Sequence, residues 1–233
     1  MSAALCMLCG NKDFRITRLA IQSAFRYLPN IDRAYFAIPT WQKENRWIDH
    51  ITHLAPIKRP KIIEVPGAET WDEVAKVKWS LFDEVSFHAD WILSVDDDDG
   101  ILGSVDLDAI PLSAGMFHSD VFVFARTDTP SLAAGEAILR PSHKIVKRGD
   151  VHMFRGSFIG YRSEAWRSIA SRLDRTSTDF EDWRTVWHLL NAGWEDHHIS
   201  QALQCHRYGP QKEPKRPWKD VLDELEAAWW TGK

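Results

Sequence analysis

Apolar positions in the first 95 residues alternate between short continuous runs and segments with helical spacing. The runs that have the length of buried strands span residues 5–9, 34–38, 62–65 and 91–95. The segments with apolar side chains three or four positions apart span residues 14–27, 44–54 and 70–87. This alternation predicts an α/β fold, with a mostly parallel central sheet and helices on both sides.

The pattern becomes more irregular after residue 100, where turns that contain glycine follow the fourth apolar run. The elements predicted there are strands at residues 121–125 and 152–161 and helices at residues 163–173, 179–191 and 221–230. No repeat, low-complexity segment or long linker divides the chain. We therefore expect one continuous Rossmann-like domain over residues 1–233, in which residues 1–100 form a nucleotide-binding half.

Composition narrows the function classes without naming one. The 233 residues are 44% hydrophobic and carry a formal net charge of -4, which argues against indiscriminate binding to polyanions but leaves room for local basic patches. No apolar stretch reaches the roughly 18 residues of a membrane span. The first residues, MSAALCMLCGNKD, also lack the pattern of a secretory signal. The expected location is therefore the cytoplasm.

The three cysteines, Cys6, Cys9 and Cys205, predict neither a disulfide framework nor a zinc ribbon. Cys6 and Cys9 have the spacing of a redox or metal motif, but positions three apart in a strand face opposite sides of the sheet. We interpret both as core residues. Most of the twelve tryptophans should also be core, and a few could stack on a base or a sugar.

Four consecutive aspartates follow the fourth apolar run in WILSVDDDDG, residues 91–100. Ligands of parallel α/β sheets bind beyond the carboxyl ends of the strands, which is where these side chains lie. In an extended chain, Asp96 and Asp98 would share one face and Asp97 and Asp99 the other. Such a pair suits Mg²⁺ or Mn²⁺, and the cation would relieve the mutual repulsion of the carboxylates. The alternatives are a solvated acidic loop and a two-metal nucleotidyltransferase site.

A second group of polar residues lies in the segment TSTDFEDWRTVWHLLNAGW, residues 176–194. Glu181 and Asp182 open a predicted helix, where acidic side chains are also favoured by the helix dipole alone. The next segment, HHISQALQCHRYG, contains three histidines that could be either surface residues or ligands. They are His197, His198 and His206.

Taken in order, these segments resemble the GT-A glycosyltransferases, and in particular their large inverting branch. The resemblance covers roughly residues 3–210 and has four parts. The D-x-D motif after an apolar strand is matched by WILSVDDDD, and the middle Gly-containing strand with its Arg-bearing turn by FRGSFIGYRSEAW. The E-D pair that opens a helix ending in glycine is matched by FEDWRTVWHLLNAGW, and the histidine after the next strand by CHRYG.

The resemblance implies a single GT-A domain whose second half, residues 101–233, binds the acceptor and ends in a helix. It implies that Asp98 ligates Mn²⁺ or Mg²⁺, that Asp96 contacts the metal or the ribose, and that His206 is a third ligand. A register shift to Asp97 and Asp99 stays open. Asp182 would be the general base, with Glu181 as the alternative.

The resemblance also implies a site for a nucleoside-diphosphate sugar, with a UDP-sugar as the default donor. The chain departs from the family here, because Cys9-Gly10-Asn11 replaces the usual Pro-Thr-polar end of the first strand and AYFAIPT lacks the usual acidic residue. Asp72 could replace that acid. The expected donor-binding residues are Cys9, Gly10, Asn11, Asp72, Lys76 and Asp97.

Two basic segments, residues 140–150 and 206–219, lie in the half expected to bind the acceptor. They are either solvated loops or contacts to a phosphate-bearing acceptor, such as a lipid diphosphate or a nucleic acid with a hydroxylated base, as in bacteriophage DNA glycosyltransferases. A glycan acceptor stays open. The expected acceptor-binding residues are Lys144, Lys147, Arg148, Arg155, Gly156, Ser157 and Trp183. Trp183, Trp194 and Trp218 could stack on a base or sugar.

The leading hypothesis is therefore a metal-dependent glycosyltransferase that inverts the anomeric centre. It would move a sugar from a nucleoside diphosphate to an acceptor hydroxyl. One alternative is a nucleotidyltransferase that makes a nucleotide sugar, although the Gly-rich basic loop usual after its first strand is missing. The other is a non-catalytic module that binds a sugar or a nucleic acid.

Overall fold

The structure is a computed structural model of the chain. It describes residues 1–9, 14–28, 31–39, 47–54, 60–65, 71–97, 99–124, 137–140, 146–148, 151–153, 159–173, 175 and 181–206. In the first half, strands and helices alternate as the apolar pattern predicts. In chain order they are β1 Ala3–Leu8, α1 Phe14–Tyr27, β2 Ile31–Pro39, α2 Trp47–Leu54, β3 Lys61–Val65, α3 Trp71–Val85 and β4 Trp91–Asp96.

The second half contains more strands than the apolar pattern predicts. Its elements are β5 Gly100–Ile101, β6 Ala114–Phe124, β7 Ala137–Arg140, β8 Val146–Arg148, β9 Val151–Met153, β10 Ile159–Arg162, α4 Ser163–Ile169, α5 Glu181–Asn191 and β11 Glu195–His206. A single 3₁₀ turn, Ala170–Arg172, follows α4. The helix predicted at residues 221–230 lies outside the described residues.

One large sheet contains strands from both halves of the chain. Its order is β3-β2-β1-β4-β10-β6-β11-β5, and β7 pairs with the outer part of β6. Among the described strands of this sheet, β3, β2, β1, β4, β6 and β11 run in one direction, and β10, β5 and β7 run against them. The predicted α/β fold with a mostly parallel central sheet is therefore confirmed.

Two apolar clusters cover the two faces of the sheet. Side chains of α1 and α2, such as Ile21 and Ile51, pack on the first face together with Leu5 and Phe36. The helices α3, α4 and α5 pack on the second face, where Trp79, Trp166 and Val186 are among the buried side chains. Because strand residues alternate between the two faces, each central strand contributes to both clusters.

The two N-terminal cysteines are core residues, as their spacing predicts. Cys6 lies in the cluster on the second face and Cys9 in the cluster on the first, so the thiols point away from each other. Both are free and buried. Burial raises the pKa of both thiols far above the usual range, which removes the thiolate that redox or metal chemistry requires.

The predicted strands of the second half differ from the observed ones in two places. The strand predicted at residues 121–125 begins earlier, at Ala114, and the one predicted at residues 152–161 is two strands, β9 and β10. β9 pairs with β8 in a separate two-stranded sheet, whereas β10 lies between β4 and β6. Gly160 of β10 packs so tightly that a Cβ there would lie 2.0 Å from the Phe117 ring.

Candidate functional site

The carboxyl ends of β1 and β4 meet at the point where the strand order reverses. The chain moves outward from β1 to β2 and β3, and then returns to pair β4 with the other side of β1. Leu8, at the end of β1, lies opposite Asp96, at the end of β4. Open α/β sheets bind ligands in the crevice at such a switch point. The topology therefore places the aspartate run at the most favourable ligand position of the sheet.

The four aspartates do not continue the strand. β4 ends at Asp96, and the backbone N–H of Asp99 donates a hydrogen bond to the Asp96 carbonyl oxygen at 3.2 Å, which closes a turn. The premise that side chains alternate between two faces through all four positions is therefore wrong. A turn re-aims each successive side chain, so the spacing of the aspartates does not decide which of them share a site.

Asp97 is held by the first turn of α1. The Thr17 hydroxyl donates to Asp97 Oδ2 at 3.3 Å, and Thr17 itself is fully buried. The bond fastens the aspartate turn to the helix that follows β1. Asp97 also lies close enough to the Cys9 thiol to help raise its pKa.

Asp96 has a different environment. It is half-buried, and its carboxylate forms no hydrogen bond or ion pair with any residue that the structure describes. A carboxylate oxygen is the donor that Mg²⁺ and Mn²⁺ prefer. Asp99 is buried, with 1% of its surface exposed, whereas Asp98 lies outside the described residues. Among the described aspartates of this run, Asp96 is thus the one whose carboxylate has no described partner and is available to a cation.

The backbone of β11 brings His206 to the aspartate turn. Cys205 lies opposite Gly100 in the antiparallel pair of β11 and β5, so His206 follows on the side of Asp99. The structure describes only the backbone of His206. Within the described residues, no group of three potential ligands forms a metal site.

Glu181 and Asp182 begin α5, as predicted. Val186 and Leu189 of this helix are buried on the second face, and a turn through Gly193, with φ at 88°, joins the helix to the start of β11. Because the chain reverses at this turn, α5 runs against the direction of β11 and its first residues lie towards the carboxyl edge. The structure describes only the backbone of the two acidic residues.

Four side chains on β6 and β11 form two crossed pairs that the sequence analysis missed. His118 Nε2 lies 3.2 Å from Asp196 Oδ2, and His198 Nε2 lies 2.8 Å from Asp120 Oδ1. The two imidazole rings stack with their centroids 5.2 Å apart. The hydrogen bond from His118 lowers the pKa of the Asp196 carboxyl. The available signal was a run of consecutive polar residues in FHSDV of β6 and in EDHHI of β11, in which positions two apart share a face.

The remaining predicted site residues fall into two groups. Those outside the described residues are Gly10, Asn11, Lys144, Arg155, Gly156 and Ser157. Those with only a described backbone are Asp72 and Lys76 at the start of α3, Lys147 and Arg148 on β8, and Trp183 on α5. Cys9 is at the switch point, but its thiol packs in the core.

Trp194 does not lie near the aspartates. It precedes Glu195, which pairs with Ala114 at the start of β6, so it lies at the amino edge of the sheet. Its indole N–H donates to the Ser168 hydroxyl at 3.0 Å. That Trp194 stacks on a base or a sugar stays a prediction. Trp218 lies outside the described residues.

Comparisons with known proteins support the fold assignment. No protein-family model and no curated protein sequence matches this chain. The chain is similar in structure to CMP:2-keto-3-deoxy-manno-octonic acid synthetase complexed with CTP, with a TM-score of 0.52 and 10% sequence identity. The match covers 97% of this chain and 99% of that one. At this identity the likeness establishes a shared α/β fold of the Rossmann type.

None of the described helices is long and apolar enough to cross a bilayer.

Proposed function

We propose that this protein is a nucleotide-sugar-dependent transferase, and specifically a metal-dependent glycosyltransferase. The observation that carries the proposal is the Asp96 carboxylate, which is half-buried at the switch point without a described partner. A carboxylate with an internal partner stabilises the fold, whereas one aimed at the ligand crevice without a partner is available to a cation. The likeness to a synthetase that binds CTP supports a nucleotide as the ligand of this crevice.

The donor lies across the ends of β1 and β4, with its phosphates near the first turn of α1, where backbone N–H groups favour anions. Asp97 orients the aspartate turn through its bond to Thr17. A UDP-sugar is the default donor. The residues proposed to bind it are Cys9 through its backbone, Gly10, Asn11, Asp72, Lys76 and Asp97.

Asp96, Asp98 and His206 are proposed to hold Mn²⁺ or Mg²⁺. Their oxygen and imidazole donors fit such a cation, and Asp96 lacks a competing partner among the described side chains. When bound, the cation supplies Lewis-acid stabilisation of the departing diphosphate.

Asp182 is proposed as the general base, with Glu181 as the alternative. The base removes the proton of the acceptor hydroxyl while the hydroxyl oxygen attacks the anomeric carbon. The bond from that carbon to the diphosphate oxygen breaks, and its electron pair leaves with the nucleoside diphosphate. Attack from the face opposite the leaving group inverts the anomeric centre. The residues proposed to line the acceptor side are Lys144, Lys147, Arg148, Arg155, Gly156, Ser157 and Trp183.

A nucleotidyltransferase is the second candidate, because the structural neighbour is named as a synthetase of a CMP-linked sugar acid. Such an enzyme joins a nucleoside triphosphate to a sugar and releases pyrophosphate. The single glycine and single lysine of Cys9-Gly10-Asn11-Lys12 argue against it, since this chain lacks a Gly-rich basic loop after its first strand.

Product analysis distinguishes the two candidates. The purified protein is incubated with Mn²⁺ and either a panel of UDP-sugars or a panel of nucleoside triphosphates with sugar acids. Release of a nucleoside diphosphate from a UDP-sugar supports the glycosyltransferase, and release of pyrophosphate supports the nucleotidyltransferase. Saturable binding of a nucleotide sugar without either product, with every donor and acceptor tried, would leave a non-catalytic binding module.

A further inference from the structure

The crossed pairs on β6 and β11, His118–Asp196 and His198–Asp120, lie on the same face of the sheet as Asp96. Ile159 of β10 is opposite both Ser94 of β4 and His118 of β6, and His198 of β11 is opposite His118. A single row of neighbouring residues therefore crosses four strands, and its members are Ser94, Ile159, His118 and His198. Two positions further along their strands, Asp96 and Asp120 share the next row on this face, about 10 Å apart for two strand spacings.

The row also fixes which face these side chains occupy. Met116 is buried in the cluster on the second face and Phe117 in the cluster on the first. Since side chains alternate along a strand, His118 and Asp120 are on the second face with Met116. Asp96 is on that face too, two residues after Ser94 and four after Ile92. This is the face along which α5 directs Glu181 and Asp182 to the carboxyl edge.

In each pair, one side chain is buried and the other is partly exposed to solvent. His118 and Asp120 are buried, with side chains 2% and 7% exposed, whereas Asp196 and His198 are 35% and 29% exposed. The buried Asp120 fixes the His198 ring, and the stacked His118 ring fixes its plane. β11 also breaks register between Ile199 and Ala202, next to Asp120, and such bulges often re-aim side chains at binding sites.

The charge of the pairs selects the kind of ligand. Two carboxylates with two imidazoles carry a net charge between minus two and zero, whichever rings are protonated, so they offer a phosphate no net positive charge. A hydroxyl group both donates and accepts, so it can bond an imidazole nitrogen and a carboxylate oxygen together. A neutral ligand with several hydroxyl groups fits this surface.

We infer that the crossed pairs form the binding subsite for a neutral carbohydrate acceptor, with His198 and Asp196 as its exposed hydrogen-bonding groups. The role as acceptor subsite rests on the proposed transferase function. His198 and Asp196 bind the acceptor sugar directly, in addition to the residues proposed above for the acceptor side. The strand spacing and rise place the Asp96 and His198 α-carbons roughly 16 Å apart, a gap that the donor and the acceptor would have to span.

The test is direct binding, observed through the imidazole ¹⁵N–¹H signals of the full-length protein without nucleotide or metal. The probes are methyl glucoside, methyl galactoside, methyl mannoside and a DNA duplex. We expect at least one sugar to shift the His118 and His198 signals saturably, and the duplex to leave them unchanged. His198→Ala should weaken the binding of that sugar about tenfold or more. Asp196→Asn, which alters the more exposed carboxylate, should weaken it as well.

His88→Ala is the matched control, because His88 is exposed in the turn after α3 at the amino edge and its signal should not respond to sugar. Unmoved His118 and His198 signals with all three sugars, or shifts with the duplex alone, would overturn the inference. The readout requires no turnover. Sugar binding without transferase activity would therefore refute the proposed function but support the sugar subsite. Transferase activity without sugar binding would support the proposed function but refute the subsite.

Discussion

The two edges of the central sheet use polar side chains in opposite ways. At the amino edge, Arg162 donates through Nε to the Ala114 carbonyl at 2.9 Å and through Nη2 to the Pro111 carbonyl at 3.0 Å. Its guanidinium also lies 4.5 Å from the centre of the Trp91 ring. At the carboxyl edge, the Asp96 carboxylate has no partner among the described residues.

Whether a charged side chain has bonding partners distinguishes structural from functional residues better than the residue type does. Arg162 lies in a motif that resembles a glycosyltransferase segment, yet its nitrogens bond the backbone carbonyls of Ala114 and Pro111, the second of which also accepts from the Ala114 N–H. Burial lowers the pKa of its guanidinium, and those bonds compensate for the desolvation. The Asp96 carboxylate forms no hydrogen bond or ion pair with a described residue. Substitutions at these positions test this contrast.

Replacement of Asp96 should have the largest effect on activity. Asp96→Asn keeps the shape of the side chain but removes the charge that would hold a cation, so we expect hydrolysis of a UDP-sugar to fall about a hundredfold or more. The free energy of unfolding should change by less than about 0.5 kcal/mol. Asp32→Asn, at an exposed position on β2, is the control. Retention of full activity would remove Asp96 from the site.

Replacement of Arg162 should have the largest effect on stability. Arg162→Ala removes the hydrogen bonds to the Ala114 and Pro111 carbonyls and the contact with Trp91. We expect the free energy of unfolding in urea to fall by about 3 kcal/mol. Activity per folded molecule should persist. Arg33→Ala, at an exposed position, should be close to neutral. A stable but inactive Arg162→Ala protein would mean that the amino edge contributes to function.

The fold and the site were predictable to different degrees from the sequence. The first half was predictable because continuous apolar strands and amphipathic helices leave a clear periodic pattern; α1 has the predicted bounds, Phe14–Tyr27. β6 was shortened in the prediction because His118, Ser119 and Asp120 interrupt its apolar run. The buried His118 and Asp120 side chains have partners on β11, whereas the Ser119 hydroxyl donates to the Asp120 carbonyl. Pairing between residues 78 positions apart cannot be read from the local sequence.

The aspartate turn shows a second limit of sequence patterns. Strand alternation suggested two pairs of aspartates, but the bond between Asp99 N–H and the Asp96 carbonyl ends the alternation. The contact from Thr17 to Asp97 joins residues 80 positions apart, so no spacing rule identifies it. A pattern could place the aspartates at the end of a strand, whereas only the tertiary structure distinguishes the held carboxylate from the one without a partner.

The Thr17–Asp97 contact predicts an intermediate effect. Thr17→Val keeps the volume and removes the hydroxyl that donates to Asp97, so we expect a loss of about 1 kcal/mol in the free energy of unfolding. Hydrolysis of a UDP-sugar should fall less than it does in Asp96→Asn. A larger loss of activity in Thr17→Val than in Asp96→Asn would indicate that Asp97, and not Asp96, is the aspartate on which activity depends.

The smallest expected effect is on the decrease in the free energy of unfolding at acid pH. The hydrogen bond from His118 lowers the pKa of Asp196 below its usual 3.8 in the folded state. The resulting stabilisation is present above that value and is lost as the pH falls through the lower, folded pKa. Asp196→Asn should therefore reduce the fall in urea midpoint between neutral pH and pH values below 3.8. An unchanged decrease at acid pH would show that this pair adds nothing to stability.

The most direct test of a cation-dependent nucleotide site is calorimetric titration of the protein with UDP, and with CTP in a parallel series. Each titration is done in the presence of Mn²⁺ and again in the presence of a chelator. We expect one nucleotide to bind saturably, to require Mn²⁺ and to bind at least about tenfold more weakly to Asp96→Asn, whereas Asp32→Asn should bind it unchanged. Binding that is equally tight with chelator and in Asp96→Asn, or the absence of binding by both nucleotides, would contradict a cation-dependent nucleotide site at the ends of β1 and β4.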